Sequence, residues 1–255
     1  MDAVLLFSGQ GAQKVGMGKD LYDQYPVAKA LIEQADKALG ESLSAVMFEG
    51  PGEELTRTCN CQPALYVHGL ACLAVLKELV PSLNPVAAAG LSLGEFTAHA
   101  AAGTYSFEEG LRLVQKRGAF MEEACNATKG TMAAMIGGTD ENVIKLAQEC
   151  DVDVANFNCP GQTVVSGTEE GVAKAVAGAK AAGCKIAKKL NVAGAYHSRL
   201  MHSAMVKLAE ELKNISFGTP SMPVYCNYEA RVVEGPDDIR SMLEHQVCGS
   251  VRWTA

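Results

Sequence analysis

Residues 85–103 constrain this chain more than any other stretch. Pro85-Val86-Ala87-Ala88-Ala89-Gly90 is a short apolar run of strand character. Leu91-Ser92-Leu93-Gly94-Glu95 follows directly, and an alanine-rich helical stretch then runs to about Gly103. Gly-x-Ser-x-Gly between a strand and a helix is the pattern of a nucleophile elbow. Small residues on either side of the serine allow a sharp turn. The serine oxygen is left exposed at a helix N-terminus, where backbone N–H groups and the helix dipole favour negative charge on a substrate oxygen. The five-residue pattern is weak alone. Its position between strand and helix is what makes Ser92 a candidate nucleophile.

The surrounding chain has the same alternating character. A strand at Ala3–Phe7 runs into the small and amide residues Ser8-Gly9-Gln10-Gly11-Ala12-Gln13, a helical region spans about Leu21 to Leu39, and a second helix is expected to start at Pro63 and reach about Leu79. Strand and helix in alternation favour a parallel α/β sheet. From Lys129 to Asn191 the texture changes. Strands are expected at Thr131–Ile136, Val152–Phe157, Gln162–Ser166 and Lys185–Leu190, with helices at Asp140–Glu149 and Thr168–Ala182. That βαββαβ order is the ferredoxin-like unit. The expectation is therefore a parallel-sheet, α/β-hydrolase-like core made of residues 1–128 and 194–255, with a ferredoxin-like subdomain inserted at 129–193.

Composition narrows the function. With 255 residues, 48% of them hydrophobic and 20% charged, the chain can bury one large core and is not disordered. Its net charge of −7 and the lack of a dense Lys/Arg run argue against a nucleic-acid partner. Nine scattered cysteines, an odd number without a Cys-x-x-Cys pair, read as reduced thiols in a cytoplasmic protein. Neither cysteines nor the five histidines supply paired ligands at zinc spacing, so no metal and no cofactor is expected. No secretory signal and no apolar stretch of membrane-spanning length is expected either, so a membrane is not among the expected partners.

A serine hydroxyl needs a base. Of the five histidines, His68 and His99 fall within apolar helices and read as packed structural residues, with His202 and His245 as further candidates. His197 follows the small-residue loop Val192-Ala-Gly-Ala-Tyr196 at the exit from the insert and precedes Ser198. Such a loop can carry an imidazole to a serine on another segment.

At this point the chain resembles a known family. Gly9-Gln10-Gly11-Ala12-Gln13, Gly90-Leu91-Ser92-Leu93-Gly94-Glu95, Gln115-Lys116-Arg117-Gly118 and Gly194-Ala195-Tyr196-His197-Ser198 occur in the order and spacing of malonyl-CoA:acyl carrier protein transacylases. Asn156-x-Asn158-x-Pro160-x-Gln162, and Gln246 ahead of Val251-Arg252-Trp253-Thr254, belong to the same pattern, which covers essentially the whole chain. The resemblance implies that Ser92 takes the acyl group as an ester and His197 is its base. It further implies that the Gln10 and Leu93 backbone N–H groups form the oxyanion hole, that Arg117 grips the free malonyl carboxylate, and that Gln246 orients His197 through its backbone carbonyl. Arg117 also has an independent reading. On a helix from Phe107 to Ala124 it sits at the edge of the stripe formed by Leu111, Val114, Gly118 and Met121, where a planar guanidinium can reach into a cleft.

The implied substrates are malonyl-CoA and the phosphopantetheine thiol of an acyl carrier protein. The aromatic Tyr196 matches the malonyl-selective class, whose Phe at this position leaves little room for an extra methyl group. Lys185, Lys188, Lys189 and Arg199 cluster in sequence near His197 and are expected to form a docking patch for the acidic carrier. Two departures stand out. Most relatives have His at the position of Leu91, and relatives continue beyond the equivalent of Thr254 through a strand, a glycine-proline loop and a closing helix. Two rivals remain. A serine hydrolase would need an acid between serine and histidine, for which Asp140, Asp151 and Asp153 are available but lie in the insert. A non-catalytic carrier-binding module would be expected to have lost part of the set. Phosphate binding at Gly9–Gly18 fails for want of a Gly-Lys-Ser/Thr ending.

Overall fold

The computed structural model describes residues 1–255 and divides into two compact units. The first comprises Met1–Ala119, Glu211–Cys226 and Arg231–Ile239, the second Phe120–Glu210, Asn227–Ala230 and Arg240–Ala255.

In the first unit β1 (Asp2–Phe7) is followed by α1 (Lys19–Gln24), α2 (Pro26–Leu39), α3 (Leu43–Glu49), α4 (Gly52–Thr56) and α5 (Thr58–Leu79). Then come β2 (Asn84–Gly90), α6 (Leu93–Ala101) and the first part of α7 (Phe107–Ala127). β1 and β2 pair in parallel from Asp2↔Asn84 to Phe7↔Gly90, and Ala88 bridges in parallel to Val224. The strand–helix alternation thus produces the expected parallel pairing. The single helix expected over Leu21–Leu39 is two, because Tyr25, ahead of Pro26, is extended (φ −124°, ψ 113°) as a residue preceding proline prefers. The helix expected to start at Pro63 starts five residues earlier. Its first turn closes on the Arg57 carbonyl, which accepts from Asn60 N at 3.0 Å and Cys61 N at 2.7 Å, so Pro63 lies inside it. At 22 residues α5 is long and apolar enough to cross a membrane, contrary to the expectation from sequence. Most of it is buried, including Leu65, Tyr66, Val67 and Leu70, and it packs through Ala71 and Val75 on Ala28 of α2 as a core helix.

The second unit contains β3 (Gly130–Ile136), α8 (Asp140–Glu149), β4 (Asp153–Cys159), β5 (Gln162–Thr168), α9 (Glu169–Gly178) and β6 (Ile186–Lys189). A 3-10 turn at Arg199–Met201 leads into α10 (His202–Lys213), and α11 (Pro236–His245) and β7 (Val251–Arg252) complete the order. α7, α10 and α11 each have residues in both units. The strands form one sheet, β6-β3-β5-β4-β7, antiparallel except for the β4·β7 pair. Ala133 and Met135 of β3, Val143, Leu146 and Ala147 of α8, and Val172 and Ala175 of α9 share one apolar cluster, so both helices cover the same face. The Thr139 and Thr168 hydroxyls cap these two helices, accepting from Asn142 N and Gly171 N. From 130 to 189 the elements follow in the order β3-α8-β4-β5-α9-β6, and the compact unit that holds them includes Phe120–Glu210 and two further segments. β7 adds a fifth strand, and Gly194 packs so tightly on Cys125 of α7 that a methyl group there would overlap its sulfur.

The turn between β2 and α6 leaves no room for a side chain at either of its glycines. A Cβ on Gly90 would stand 2.0 Å from the Gly94 carbonyl carbon, and one on Gly94 would stand 2.2 Å from the Phe7 carbonyl oxygen. Neither obstacle is a side chain that could rotate away. Gly94→Ala is therefore expected to destabilise the fold by about 1–3 kcal/mol or more, read as a fall in thermal denaturation midpoint. An unchanged midpoint would contradict this packing.

Candidate active site

Ser92 sits at the elbow that this packing creates. Its backbone has φ 54° and ψ −104°, a sparsely populated conformation that costs roughly 1–3 kcal/mol and persists only where the surroundings enforce it. Here the enforcement is the Gly90 and Gly94 contacts together with the Leu91 N–H, which donates to the Phe7 carbonyl at 3.0 Å. The turn leaves Ser92 at the N-cap of α6 with the Leu93 N–H in the first helical turn, where the helix itself provides no acceptor. Gly9, next to Gln10, lies against the Leu91 carbonyl and side chain, so the small-residue loop after β1 and the elbow share one surface.

Arg117 is 1% exposed, and it is the largest of the side chains that are less than 2% exposed. Its Nη2 donates to Ser92 Oγ at 3.1 Å, and its Nη1 donates to Gln62 Oε1 at 2.7 Å. The guanidinium carbon lies 5.0 Å from the centroid of the buried Phe96 ring, within range of a cation–π contact. The neighbouring Gly118 makes this reach possible. A Cβ there would come within 2.5 Å of the Thr58 carbonyl, so α7 lies directly on the first turns of α5, where Gln62 resides. The expected arginine at a stripe edge is thus a fully buried cation held beside the serine.

Gln62 was not singled out from sequence, although an amide in the otherwise apolar Cys61-Gln62-Pro63-Ala64-Leu65 run is the kind of signal that marks a buried polar partner. Burying a cation is costly unless its donors are matched, and the amide oxygen takes one of those donors without adding a competing negative charge.

In the second unit His197 is 4% exposed, and its Nδ1 lies 2.8 Å from the backbone carbonyl oxygen of Gln246, itself fully buried. A carbonyl can only accept, so Nδ1 carries the proton and Nε2 is the basic nitrogen. The Gln246 carbonyl therefore takes the place a carboxylate would hold in a Ser-His-Asp triad, which weighs against the hydrolase reading. His197 also has φ 54°. The small residues before it fit this bend. Gly194 and Ala195 are buried, and Ser198 Oγ donates to the Ala195 carbonyl at 2.6 Å while accepting from Leu200 N at 3.2 Å. Tyr196, 7% exposed, shares a side-chain hydrogen bond with the Cys125 thiol.

The remaining candidates separate. His99 is fully buried with Nδ1 3.2 Å from Thr104 Oγ1, and burial holds its pKa down at about 3, as befits a structural histidine. His68 is half-buried, His202 and His245 are exposed. Asn156 is buried in β4, and Asn158 bonds Gln162 across the β4–β5 hairpin at 3.2 Å. Lys185, Lys188 and Lys189 are exposed on and beside the edge strand β6. Arg199 is not among them. It is tied to Asp151 and Asp153 at the start of β4, with two strands, β3 and β5, between β4 and β6.

The acyl transferase domain family matches residues 4–249. The malonyl CoA-acyl carrier protein transacylase of Bacillus subtilis strain 168 is 44% identical over 97% of this chain and 79% of its own length. The solved transacylase of Coxiella burnetii superposes with a TM-score of 0.94 at 36% identity, covering 98% of this chain and 80% of that one. The solved complex of a malonyl-transacylase with its type II polyketide acyl-carrier protein contains a chain that superposes with a TM-score of 0.94 at 37% identity, covering 98% of this chain and 82% of that one. The chain belongs to the acyl transferase family, among the malonyl CoA-acyl carrier protein transacylases.

Proposed function

We propose that this chain moves a malonyl group from coenzyme A to the phosphopantetheine thiol of an acyl carrier protein, in a ping-pong reaction that supplies extender units for fatty acid synthesis. The observation that carries the reading is Arg117 Nη2 at 3.1 Å from Ser92 Oγ. In a malonyl thioester one methylene separates the reacting carbonyl from the free carboxylate. A cation that grips the carboxylate must therefore stand beside the nucleophile.

In this reading His197 Nε2 accepts the Ser92 proton as Oγ attacks the thioester carbonyl. The developing oxyanion is met by the Gln10 and Leu93 N–H groups, each such donor typically contributing ~2.7–4 kcal/mol to lowering the barrier. The proton passes to the coenzyme A thiolate as it leaves, and the carrier thiol then reverses the sequence. Gln246 fixes the tautomer of His197. Lys185, Lys188 and Lys189 are a candidate contact for the acidic carrier. We further read the first unit as α/β-hydrolase-like and 129–193 as a ferredoxin-like insert in a core of 1–128 and 194–255. The antiparallel order β6-β3-β5-β4, with both helices on one face, supports the insert. A cytoplasmic location fits this chemistry.

Incubation with malonyl-CoA in the absence of carrier tests the reading by intact mass. One malonyl group on the protein, absent in Ser92→Ala, is expected. No adduct with malonyl-CoA left intact, or free malonate released without an adduct, would overturn it. Gln62→Ala removes an acceptor from a buried cation. Bonds to charged groups contribute about 1.5–3 kcal/mol, so kcat/KM for malonyl-CoA should fall roughly 10- to 100-fold. Unchanged steady-state kinetics would show that Arg117 does not rely on Gln62.

A further inference from the structure

We propose that Arg199 and Asp153 form a clamp that positions His197, and that Arg199 is not part of a carrier-docking patch; this rests on the function proposed above. Asp153 is the first residue of β4. Its Oδ2 accepts from the Arg199 backbone N–H at 2.8 Å and from Nε at 3.1 Å, and its Oδ1 accepts from Nε at 3.2 Å and Nη2 at 3.0 Å. Asp151 accepts from Nη1 at 2.7 Å. One carboxylate thus holds both the backbone and the side chain of the residue two places after His197.

The next residue of β4 holds the other side of the same hydrogen bond. The Val154 carbonyl accepts from Ser250 Oγ at 2.6 Å, and β7, which follows, pairs in parallel with β4 at Asn156↔Val251. Ser250 lies four residues after Gln246, whose carbonyl accepts a hydrogen bond from His197 Nδ1–H. Asp153 and Val154 therefore anchor both chain segments that meet at His197 Nδ1. The bend at His197 (φ 54°) makes such anchoring necessary, since a residue relaxing from that conformation would swing its imidazole away.

Exposed ion pairs are usually weak, and Asp151, with 88% of its side chain exposed, adds little. Asp153 is different, with 29% exposure, a forked contact to the guanidinium and a backbone donor on the same oxygen. The two carboxylates also hold the Arg199 guanidinium above its usual pKa, Asp153 first. Charge argues against docking as well. One arginine between two aspartates presents a net negative group to an acidic partner. Arg199 is also separated from the β6 lysines by β3 and β5, a span of roughly 14 Å between β4 and β6 at ordinary strand spacing.

The two half-reactions separate the roles. Ser92 acylation is followed by rapid-quench intact mass with saturating malonyl-CoA and no carrier. Arg199→Ala and Asp153→Ala should each slow it about tenfold or more, as expected for a displaced base. The double variant should be no slower than either single one, because both break the same clamp. KM for the carrier should be unchanged, and Arg199→Lys should recover part of the rate. Arg199→Gln serves as a second replacement that keeps a polar, similarly long side chain. Wild-type acylation rates in both arginine replacements, or a raised KM for the carrier alone, would overturn the clamp. Failure of the wild-type protein itself to acylate would instead overturn the proposed function.

Discussion

A guanidinium with almost no access to water is the interaction on which the first unit's active surface depends. Burying Arg117 is costly unless its donors find acceptors, and the neighbouring chain supplies two, at Gln62 and Ser92, with the Phe96 ring beside the cation. This requirement accounts for several features at once. Gly118 is needed so that α7 can lie on the Thr58 carbonyl, α5 must begin before Pro63 so that Gln62 lies in helix, and the elbow must deliver Ser92 to the guanidinium. The serine hydroxyl serves as an acceptor in this arrangement and as the nucleophile in the proposed reaction. A substrate carboxylate would take over the Arg117 donor and release the hydroxyl for attack.

The proposed nucleophile and its proposed base share a backbone device. Ser92 and His197 are each held at φ 54°, where residues with a Cβ are uncommon. At Ser92 the strain is enforced by glycine contacts to backbone, at His197 by the Gln246 hydrogen bond and the attachments of the flanking chain to β4. Strain of this kind fixes a side chain in place before substrate arrives, so little reorganisation remains for the reaction itself.

Much of this was legible in the sequence because local patterns carry it. The Gly90–Gly94 elbow, α8 at Asp140–Glu149 and the hairpin around Pro160 depend on neighbours in the chain, and their boundaries fell close to expectation. Ser92, His197, Arg117 and Gln246 were legible as a set only through linked motifs, since nothing in the periodicity around Gln246 points to its carbonyl. What escaped depends on distant partners. Gln62 is meaningful only with Arg117, 55 residues later. Arg199 read as a surface cation beside three lysines until the fold set it against Asp151 and Asp153. The fifth strand β7 is two residues long and could not be recognised without β4 beside it.

The proposed chemistry turns on one selection, that of a free carboxylate by Arg117 at the serine. Its most direct test is competition between malonyl-CoA and acetyl-CoA for Ser92 acylation, measured as the ratio of kcat/KM values in the wild-type protein and in Arg117→Ala. A strong malonyl preference is expected in the wild type and should collapse in Arg117→Ala, mainly through loss of malonyl transfer, while acetyl transfer falls far less. A preference that survives removal of the guanidinium would contradict it.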